Sequence, residues 1–518
     1  MNGAHALIRT LVDSGVDVCF ANPGTSEMHF VAALDDEPRM RAVLALFEGV
    51  VTGAADGYGR MADRPAATLL HLGPGLGNGI ANLHNARRAR TPIVNIVGDH
   101  ATYHHQYDAP LDSDIDALAS NVSGWLRTSR RSEDVAGDAA DAVVAARRPP
   151  GHVATLVLPA DVSWLEGAAP VPARPLPERT PVPDEAVAVV AKALQSGEPV
   201  IFLVGGSALR ERGLVAAARI AAATGAKVIG ETFPSRLQRG AGLPPLDRLG
   251  YLAEFATAQL AGVRHLVLVD TKAPASFFAY PEKPSSLVPE DCEVHVLAHG
   301  PDDAEAALEQ VADAVGAATA DPALQAAHRP DRPTGPITGA TIADALGALL
   351  PEGAIVADEA QTGGLWAAGA TAGSPRHDWL TLTGGAIGMG MPLATGAAIA
   401  CPDRPVVNLE ADGSAMYTLQ ALWTQAREGL DVTTIVFANR SYAILNLELS
   451  RVGVETPGPT ALSMLDLTRP DLDFVALARG MGVPATRPED SEAMTRDLER
   501  AIAEPGPHLI EAVLPSGF

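Results

Sequence analysis

Short apolar runs rich in β-branched residues alternate with helix-length segments along the whole chain, and this pattern limits the fold more than any other feature. Examples of these runs are TPIVNIVGD, VATLVLP, PVIFLVGG, HLVLVD, RPVVNLEADG and DVTTIVFANRS. Continuous apolar runs separated by helices are typical of parallel sheets that are covered by helices on both faces. Such sheets bind ligands at the carboxyl ends of their strands, so the residues that follow each run are the functional candidates.

Two proline-rich stretches divide the chain, which at 518 residues is too long for a single core. The first contains Pro170, Pro172, Pro175, Pro177, Pro181 and Pro183, and the second contains Pro322, Pro330, Pro333 and Pro336. Proline at this density resists both helices and sheet interiors, so both stretches are expected to be extended linkers. The sequence therefore predicts an α/β protein with three doubly wound parallel-sheet domains, at residues 1–168, 184–318 and 337–518.

Charge and apolar content exclude several classes of partner. A formal net charge of -24 argues against nucleic acid or an anionic membrane surface as the main partner. No apolar run reaches the roughly 18 residues of a membrane span, and the N-terminal segment lacks the apolar core of a secretory signal. The three cysteines are far apart and are expected to be free thiols in a reducing compartment. These features predict a cytoplasmic protein.

The segment EADGSAMYTLQALWTQAREGLDVTTIVFANRSY places Asp412 at the end of one predicted strand and Asn439 at the end of the next, 27 positions later. A strand–helix–strand unit of this length brings the two strand ends side by side. A carboxylate, an amide oxygen and a nearby backbone carbonyl suit Mg²⁺, which keeps diphosphate oxygens among its other ligands. Gly413 and Ser414 offer backbone N–H groups at a helix N-terminus, where anions bind. Alternatively, Asp412 only caps the helix and Asn439 forms a turn.

Two further segments carry less specific candidates. The stretch TLTGGAIGMGMPLATGAA has glycines that let a ligand approach the backbone, with Ile387 among them; alternatively, it is a turn that packs a helix on the sheet. Glu48 follows an apolar run at the start of a small-residue helix, where a carboxylate could share a proton with a ring nitrogen. Alternatively, Glu48 only stabilises the start of the helix through the helix dipole.

His71 ends another apolar run and precedes LGPGLGNG. The glycine spacing does not match the dinucleotide fingerprint G-x-G-x-x-G, and no acidic residue follows about 20 positions later at a strand end, so this is not a predicted NAD site. A histidine in such a position is by itself more often structural than catalytic. His100, His104 and His105 match no metal-binding spacing and are expected in an exposed loop near the pocket.

Together these segments resemble the superfamily of thiamine diphosphate-dependent decarboxylases and acetohydroxyacid synthases over nearly the whole chain, in the order of pyrimidine-binding, middle and diphosphate-binding domains. The segment from Asp412 to Asn439 looks like the family's diphosphate motif: GDG, a helix, and then NN. FEGVVTGAADGYGR is similar to the family's HExxxxxAADGYAR. ANPGTSE, LHLGPGLGN and NRSYAIL look like the benzoylformate decarboxylase segments GNPGSNE, LHSAAGTGN and NNGTYGAL, and much the same features occur in acetolactate synthase large subunits.

The resemblance implies that the protein binds thiamine diphosphate and Mg²⁺ and cleaves or forms a C–C bond of a 2-oxo acid through a C2 ylide and an enamine. The implied metal ligands are Asp412, Asn439 and the Ser441 carbonyl. The implied cofactor contacts are Gly413, Ser414, Gln361 and Thr362 at the diphosphate, Ile387 between the two rings, the Gly385 carbonyl at the 4′-amino group and Glu48 at the pyrimidine N1′. His71 and Thr25 would orient the substrate carboxylate and relay protons. Because Glu48 and the diphosphate site come from different subunits in this family, a homodimer or homotetramer with active sites between subunits is implied.

Some positions depart from the family's pattern. Ala411 and Ala438 replace a Gly and an Asn that supply no essential side-chain ligand, so cofactor binding is expected to persist. Around the substrate, Phe47 replaces a His, Pro281 stands where the benzoylformate enzymes carry a second catalytic His, and Glu448 brings a charge to an apolar pocket. These changes predict slow release of aldehyde, attack on an aldehyde or a second 2-oxo acid as acceptor, and a polar or cationic group on the substrate.

Three other functions stay open beside a benzoylformate-type decarboxylase. An acetolactate synthase usually carries FAD in its middle domain, and the middle block has no clear FAD signature, so FAD is not favoured. A non-catalytic homologue would bind the cofactor or only oligomerise, but it would not need Glu48. An NAD-binding oxidoreductase is the least favoured, because the dinucleotide fingerprint is missing.

Overall fold

The computed structural model describes residues 1–515 and contains three sheets. The strands of the first sheet are Val18–Asn22 (β1), Arg41–Leu44 (β2), Ala66–Leu70 (β3), Ile93–Asp99 (β4), Trp125–Thr128 (β5) and Val153–Pro159 (β6). They are all parallel and lie in the order β2-β1-β3-β4-β6-β5. The α-helices of this part are Gly3–Asp13 (α1), Met28–Ala33 (α2), Glu48–Ala62 (α3), Leu72–Ala89 (α4), Ile115–Ser120 (α5), Ser132–Arg147 (α6) and Ala160–Trp164 (α7).

The middle part of the chain supplies strands Val200–Val204 (β7), Lys227–Gly230 (β8), Leu237–Arg239 (β9), Asp247–Arg248 (β10), His265–Val269 (β11) and Glu293–Ala298 (β12). The second sheet has the order β10-β8-β7-β11-β12, again all parallel. Its α-helices are Asp184–Gln195 (α8), Glu211–Thr224 (α9), Ala253–Gln259 (α10) and Ala304–Ala314 (α11).

The last part supplies strands Ile355–Glu359 (β13), His377–Thr381 (β14), Val406–Ala411 (β15), Val432–Ala438 (β16), Ala485–Thr486 (β17) and His508–Val513 (β18). The third sheet has the order β17-β18-β16-β15-β13-β14-β9. The α-helices here are Gly339–Leu349 (α12), Ala367–Ala370 (α13), Gly390–Ala400 (α14), Asp412–Thr418 (α15), Ala421–Glu428 (α16), Ala443–Arg451 (α17), Pro459–Ser463 (α18), Phe474–Gly480 (α19) and Ser491–Ala503 (α20).

The predicted α/β class with three parallel-dominated sheets is confirmed. Strands β4, β6 and β16 are buried at every residue, which is the environment that continuous apolar runs require. One strand differs from the order of the sequence: β9 comes from the middle part but pairs antiparallel with β14, at the edge of the third sheet. The domain boundaries given above stay a prediction. None of the helices within residues 1–515 is long and apolar enough to span a bilayer.

Helices α3 and α14 connect the first and third sheets by crossing at very short range. A Cβ on Gly57 of α3 would lie 2.0 Å from the backbone oxygen of Leu393 in α14. A Cβ on Gly396 of α14 would lie 1.8 Å from the backbone oxygen of Ala54 in α3. Only glycine allows the two backbones to approach this closely. The crossing fixes the positions of the two loops that lead into these helices.

Candidate active site

Polar side chains follow three neighbouring strands at the carboxyl edge of the first sheet. Strands β2, β1 and β3 lie side by side in this order. Glu48 follows β2, Thr25 follows β1 and His71 follows β3. The residues that the sequence predicted as catalytic thus lie along one edge of one sheet, where parallel α/β proteins bind ligands.

Glu48 is the first residue of α3, and its side chain is almost entirely buried. Asn78 of α4 donates from Nδ2 to Glu48 Oε2 over 3.0 Å. Gly75 of the same helix makes room for the other carboxylate oxygen, since a Cβ there would lie 3.0 Å from Oε1. A carboxylate has about four acceptor positions, so Glu48 keeps capacity for a ligand.

His71 is held by a buried carboxylate. Its Nδ1 lies 2.8 Å from Glu27 Oε2, and the Gly24 N–H donates to the same oxygen over 2.7 Å. Burial raises the pKa of Glu27, while the Gly24 N–H and His71 lower it. When Glu27 is ionised it only accepts, so the His71 proton stays on Nδ1 and Nε2 is free to exchange protons. Thr25 is exposed at the start of a single 3-10 turn, Thr25–Glu27.

A second group of polar residues follows neighbouring strands of the third sheet. Strands β15 and β16 are parallel, with Ala411 opposite Phe437, so their carboxyl ends meet. Asp412 and Asn439 come directly after these ends. Asp412 Oδ2 accepts from the Arg440 N–H over 2.6 Å, which brings the carboxylate beside the segment that begins with Asn439.

The Asp412 carboxylate is buried and is bound by backbone donors. Besides the Arg440 N–H, the Gly413 N–H donates to Oδ1 over 2.8 Å. Burial raises the pKa of Asp412 to about 6, against these two hydrogen bonds. A buried carboxylate in these surroundings gains from a cation, because burial without a partner charge is unfavourable. The chemistry of this donor set fits Mg²⁺, which prefers hard oxygen ligands.

The remaining predicted diphosphate contacts lie near the same edge. Gln361 and Thr362 form part of a 3-10 turn, Gln361–Gly364, directly beyond β13, which is next to β15. Ser414 is buried in the first turn of α15. The Ser441 hydroxyl donates to the Leu465 carbonyl over 3.1 Å, so the Ser441 backbone carbonyl is the group left for a ligand.

The glycine-rich loop before α14 is fixed by side chains from other elements. Gly385 and Gly388 have positive φ angles of 76° and 90°, which glycine adopts without strain. Asn85 of α4 donates to the Ala386 carbonyl over 2.8 Å, and Asn82 donates to the Gly388 carbonyl over 3.2 Å. These contacts hold the partly buried Ile387 and the Gly385 carbonyl in one conformation.

A buried carboxyl pair lies under the same loop. Glu359 accepts from the N–H groups of Gly388 and Gly390. Glu410 lies beside Glu359. Burial raises the pKa of both carboxyls, and the nearby Glu359 charge raises that of Glu410 further. The pair therefore anchors the turn that follows Ile387 on the ends of β13 and β15.

The loop that contains Pro281 lies beside the glycine-rich loop. A Cβ on Gly385 would lie 3.4 Å from the Phe277 ring. The Tyr280 hydroxyl donates to Glu448 Oε2 over 2.5 Å, and the Arg451 guanidinium lies 4.4 Å from the centre of the Tyr280 ring. Arg451 also approaches Glu448, at 3.6 Å. The Glu448 charge, which predicted a polar or cationic substrate group, therefore already has partners within the chain.

Several residues that contact the predicted site were not assigned a role from the sequence. They are Glu27, Asn78, Asn82, Asn85, Glu359 and Glu410. Glu27 had a readable signal, because it follows the same strand end as Thr25. Glu359 and Glu410 had the same kind of signal, because they lie at the ends of β13 and β15. Asn78, Asn82 and Asn85 had none, since they lie within α4 and contact residues from distant parts of the chain. His105 contacts Asp112 over 2.7 Å in the loop after β4, and this contact raises the pKa of His105.

Comparisons with known proteins match most of the chain to one family of enzymes. Residues 1–120 match the N-terminal TPP binding domain of thiamine pyrophosphate enzymes, and residues 362–512 match their C-terminal TPP binding domain. A Mycobacterium tuberculosis protein named "Putative acetolactate synthase large subunit IlvX" is 61% identical over 100% of this chain and 99% of its own length. Benzoylformate decarboxylase of Pseudomonas aeruginosa is 29% identical over 96% of both chains. The fold is similar to that of a 4-hydroxybenzoylformate decarboxylase of Rhodococcus jostii, with a TM-score of 0.86, 24% identity and coverage of 100% and 99% of the two chains.

Proposed function

Because this chain belongs to the thiamine pyrophosphate enzyme family that includes decarboxylases and acetolactate synthases, we propose that it cleaves or forms the C–C bond next to the carbonyl of a 2-oxo acid, with thiamine diphosphate and Mg²⁺. The observation that carries the proposal is the buried Asp412 carboxylate at the joined ends of β15 and β16, beside Asn439 and with backbone donors as its partners. Asp412 is more than a helix cap, since Ala411 holds the N-cap position of α15 and Asp412 Oδ2 accepts from the Arg440 N–H outside that helix.

The cofactor's diphosphate end would be held by groups of the third sheet. The Asp412 carboxylate, the Asn439 amide oxygen and the Ser441 carbonyl are hard oxygen ligands for Mg²⁺. The phosphate oxygens would be bound by Gly413, Ser414, Gln361 and Thr362. The N–H groups at the start of α15 favour an anion there.

The ring end would be held by groups that are already rigid in the chain. The Gly385 carbonyl would accept a hydrogen bond from the amino group, and Ile387 would pack between the rings. When bound, thiamine diphosphate supplies the electron sink that loss of CO₂ from a 2-oxo acid requires. Glu48 would hold a proton at its carboxylate and exchange it with a ring nitrogen, with Asn78 fixing the direction of Oε2.

Substrate binding is assigned to the carboxyl edge of the first sheet. The Thr25 hydroxyl would donate to the substrate carboxylate, and so would His71 Nε2 when the ring carries a second proton. Nε2 would pass this proton to or from the reacting carbon. Glu27 keeps the His71 ring in the tautomer and orientation that this requires.

A flavin is not favoured in the middle part of the chain. At the carboxyl edge of the second sheet, the Gly206 N–H donates to Glu231 Oε1 over 3.1 Å, and the Ser207 N–H donates to Asp270 Oδ2 over 3.0 Å. Backbone N–H groups at this position are those that bind the phosphates of a dinucleotide. Two carboxylates occupy them here, which supports a protein without FAD.

The favoured reaction is that of a benzoylformate decarboxylase-like lyase or carboligase, and an acetolactate synthase-type reaction is the alternative. The 61% identical relative carries the second name. A non-catalytic homologue is disfavoured, since a buried Glu48 held by Asn78 serves no purpose in binding the diphosphate. The proposal also includes a homodimer or homotetramer in which Glu48 of one subunit meets the diphosphate site of another.

Calorimetry with thiamine diphosphate and Mg²⁺ tests cofactor binding, and a panel of 2-oxo acids with and without acceptor aldehydes tests the reaction. Wild-type protein should bind the cofactor in a Mg²⁺-dependent way, and Asp412→Asn should weaken binding strongly. Glu48→Gln should keep most cofactor affinity but lose turnover. Absence of binding to wild-type protein would contradict the proposal, as would full turnover by Glu48→Gln. Analysis of CO₂ and of the coupled product decides between the two reactions.

A further inference from the structure

A group of histidine and carboxylate side chains lies at the opposite end of the second sheet from its carboxyl edge. His265 is the first residue of β11, and Glu293 and His295 are the first and third residues of β12. His265 and His295 are buried, whereas Glu293 is exposed. We call these three residues the histidine cluster. It lies on the amino ends of the strands, away from the carboxyl edges where the proposed catalytic residues are found.

The register of the sheet brings the cluster together. Strands β11 and β12 are parallel neighbours, with His265 opposite Glu293 and Val267 opposite His295. Side chains alternate between the two faces of a sheet, so residues two apart on β12 point to the same face. His265, Glu293 and His295 therefore project from one face, with β12 at the edge of the sheet.

The ligand atoms of the cluster lie close enough together to reach a single metal ion. His265 Nδ1 lies 3.0 Å from His295 Nε2 and 3.8 Å from Glu293 Oε2. One ligand atom from each residue lies within 4.8 Å of the other two. Ligands at about 2.0–2.1 Å from a tetrahedral Zn²⁺ are separated by roughly 3.3 Å. The observed separations lie on both sides of this value. Small side-chain rotations would therefore place the ligand atoms at the distances that a bound Zn²⁺ requires.

A fourth residue orients the cluster. Glu198, just before β7, lies with Oε2 3.0 Å from His265 Nε2. An ionised carboxylate only accepts, so Nε2 carries the proton and the lone pair of Nδ1 accepts a hydrogen bond from His295 Nε2–H. To bind an ion, His295 would move this proton from Nε2 to Nδ1 or release it. Metal-binding histidines commonly donate their second N–H to a carboxylate in this way. If the two histidines served only packing, His265 Nε2 would not need Glu198 as a partner.

We propose that His265 Nδ1, His295 Nε2 and Glu293 bind Zn²⁺, with water as the fourth ligand and Glu198 as the residue that orients His265. Two imidazoles and one carboxylate are a donor set that suits Zn²⁺ and not Mg²⁺, which prefers oxygen. The ion would tie the edge strand β12 to β11. The site is separate from the Asp412 site and does not depend on the proposed catalytic function.

The test is metal binding by the 518-residue protein after treatment with a chelator. Wild-type protein should bind one equivalent of Zn²⁺ in a calorimetric titration, and bound Co²⁺ should give the visible absorption of a tetrahedral site. Zn²⁺ should also raise the midpoint of thermal unfolding. If wild-type protein bound no Zn²⁺ at micromolar concentrations, the cluster would be only a hydrogen-bonded histidine pair.

Variants separate this site from adventitious binding. His295→Gln and the exposed Glu293→Gln should each weaken Zn²⁺ binding strongly, and Glu198→Gln should weaken it about 10–100-fold. His299→Gln is the matched control, because His299 lies just beyond β12, is exposed and contacts Asp302 instead of the cluster. Asp412→Asn should leave Zn²⁺ binding unchanged. Because Glu293 is exposed, misfolding would not explain a loss of Zn²⁺ affinity in Glu293→Gln. Wild-type affinity in this variant would overturn the proposal.

Discussion

At the scale of single residues, cofactor binding and proton exchange at the proposed site depend mainly on buried carboxylates. Glu48, Glu27 and Asp412 are all buried, and each is bound by a small number of defined donors. Burying an ionised carboxylate is costly unless it is hydrogen-bonded, so the few donors at each position decide how costly the charged form is there. This sensitivity makes conservative substitutions informative.

Glu27→Gln tests whether Glu27 positions His71. Glutamine keeps the shape of the side chain but loses the charge that fixes the Nδ1 proton, so kcat should fall about tenfold or more while KM changes little. The protein should fold, because glutamine has nearly the same shape and its carbonyl oxygen can still accept from the Gly24 N–H. Initial rates with a turned-over 2-oxo acid are the measurement. Glu37→Gln is the control, since Glu37 is also buried but binds Arg39; equal losses in both variants would argue against a positioning role.

At the scale of elements, the crossing of α3 and α14 joins, within one chain, the helices next to Glu48 and Ile387, which are proposed to belong to two different sites of the oligomer. Glu48 begins α3, and the loop that carries Ile387 leads into α14. Asn82 and Asn85 of α4 bind that loop as well. The separation of these helices thus decides whether the loop keeps its conformation.

Gly396→Ala should disturb this crossing. The added Cβ would lie 1.8 Å from the Ala54 carbonyl, so the helices must move apart, at about 1–3 kcal/mol of stability. Thermal unfolding and activity should both decrease. Gly480→Ala in α19 is the control, because its Cβ would meet nothing within 4 Å. Equal unfolding temperatures of the two variants would show that α3 and α14 adjust without strain.

Glu231, at the carboxyl edge of the second sheet, should make the stability of the fold depend on pH. Burial raises the pKa of Glu231 to about 7 from an ordinary value of 4.5. Between these values the unfolded chain loses the proton while the folded chain keeps it, so this contribution to stability is full below pH 4.5 and is lost as the pH rises through 7. Glutamine has no such titration. The unfolding midpoint of Glu231→Gln relative to wild type should therefore be higher at pH 8 than at pH 5; a difference independent of pH would contradict the assignment.

At the scale of the whole molecule, the sites are proposed to form between subunits. Glu48→Gln and Asp412→Asn should each be inactive alone. In a mixed dimer, one of the two sites would combine the intact Glu48 of one chain with the intact Asp412 of the other. Coexpression in equal amounts should therefore restore about one quarter of wild-type activity. Coexpression of Glu48→Gln with Glu48→Ala should restore none, and no recovery in the first mixture would place both residues of a site in one chain.

The sequence by itself determined the fold class and the placement of Asp412, Asn439, Glu48 and His71 at strand ends. Apolar periodicity is a local property, and the carboxyl ends of neighbouring parallel strands always share an edge. The pairing of β9 with β14 could not be predicted from the sequence, since a three-residue strand is too short to show an apolar periodicity.

Only the tertiary structure decided which side chains meet across long separations. Glu27 lies 44 positions from His71, Asn85 lies 301 positions from Ala386, and His265 lies 30 positions from His295. These contacts depend on strand order, register and the approach of helices at glycine, none of which is encoded in neighbouring residues. Local chemistry therefore indicates which residues can act, and packing decides which of them act together.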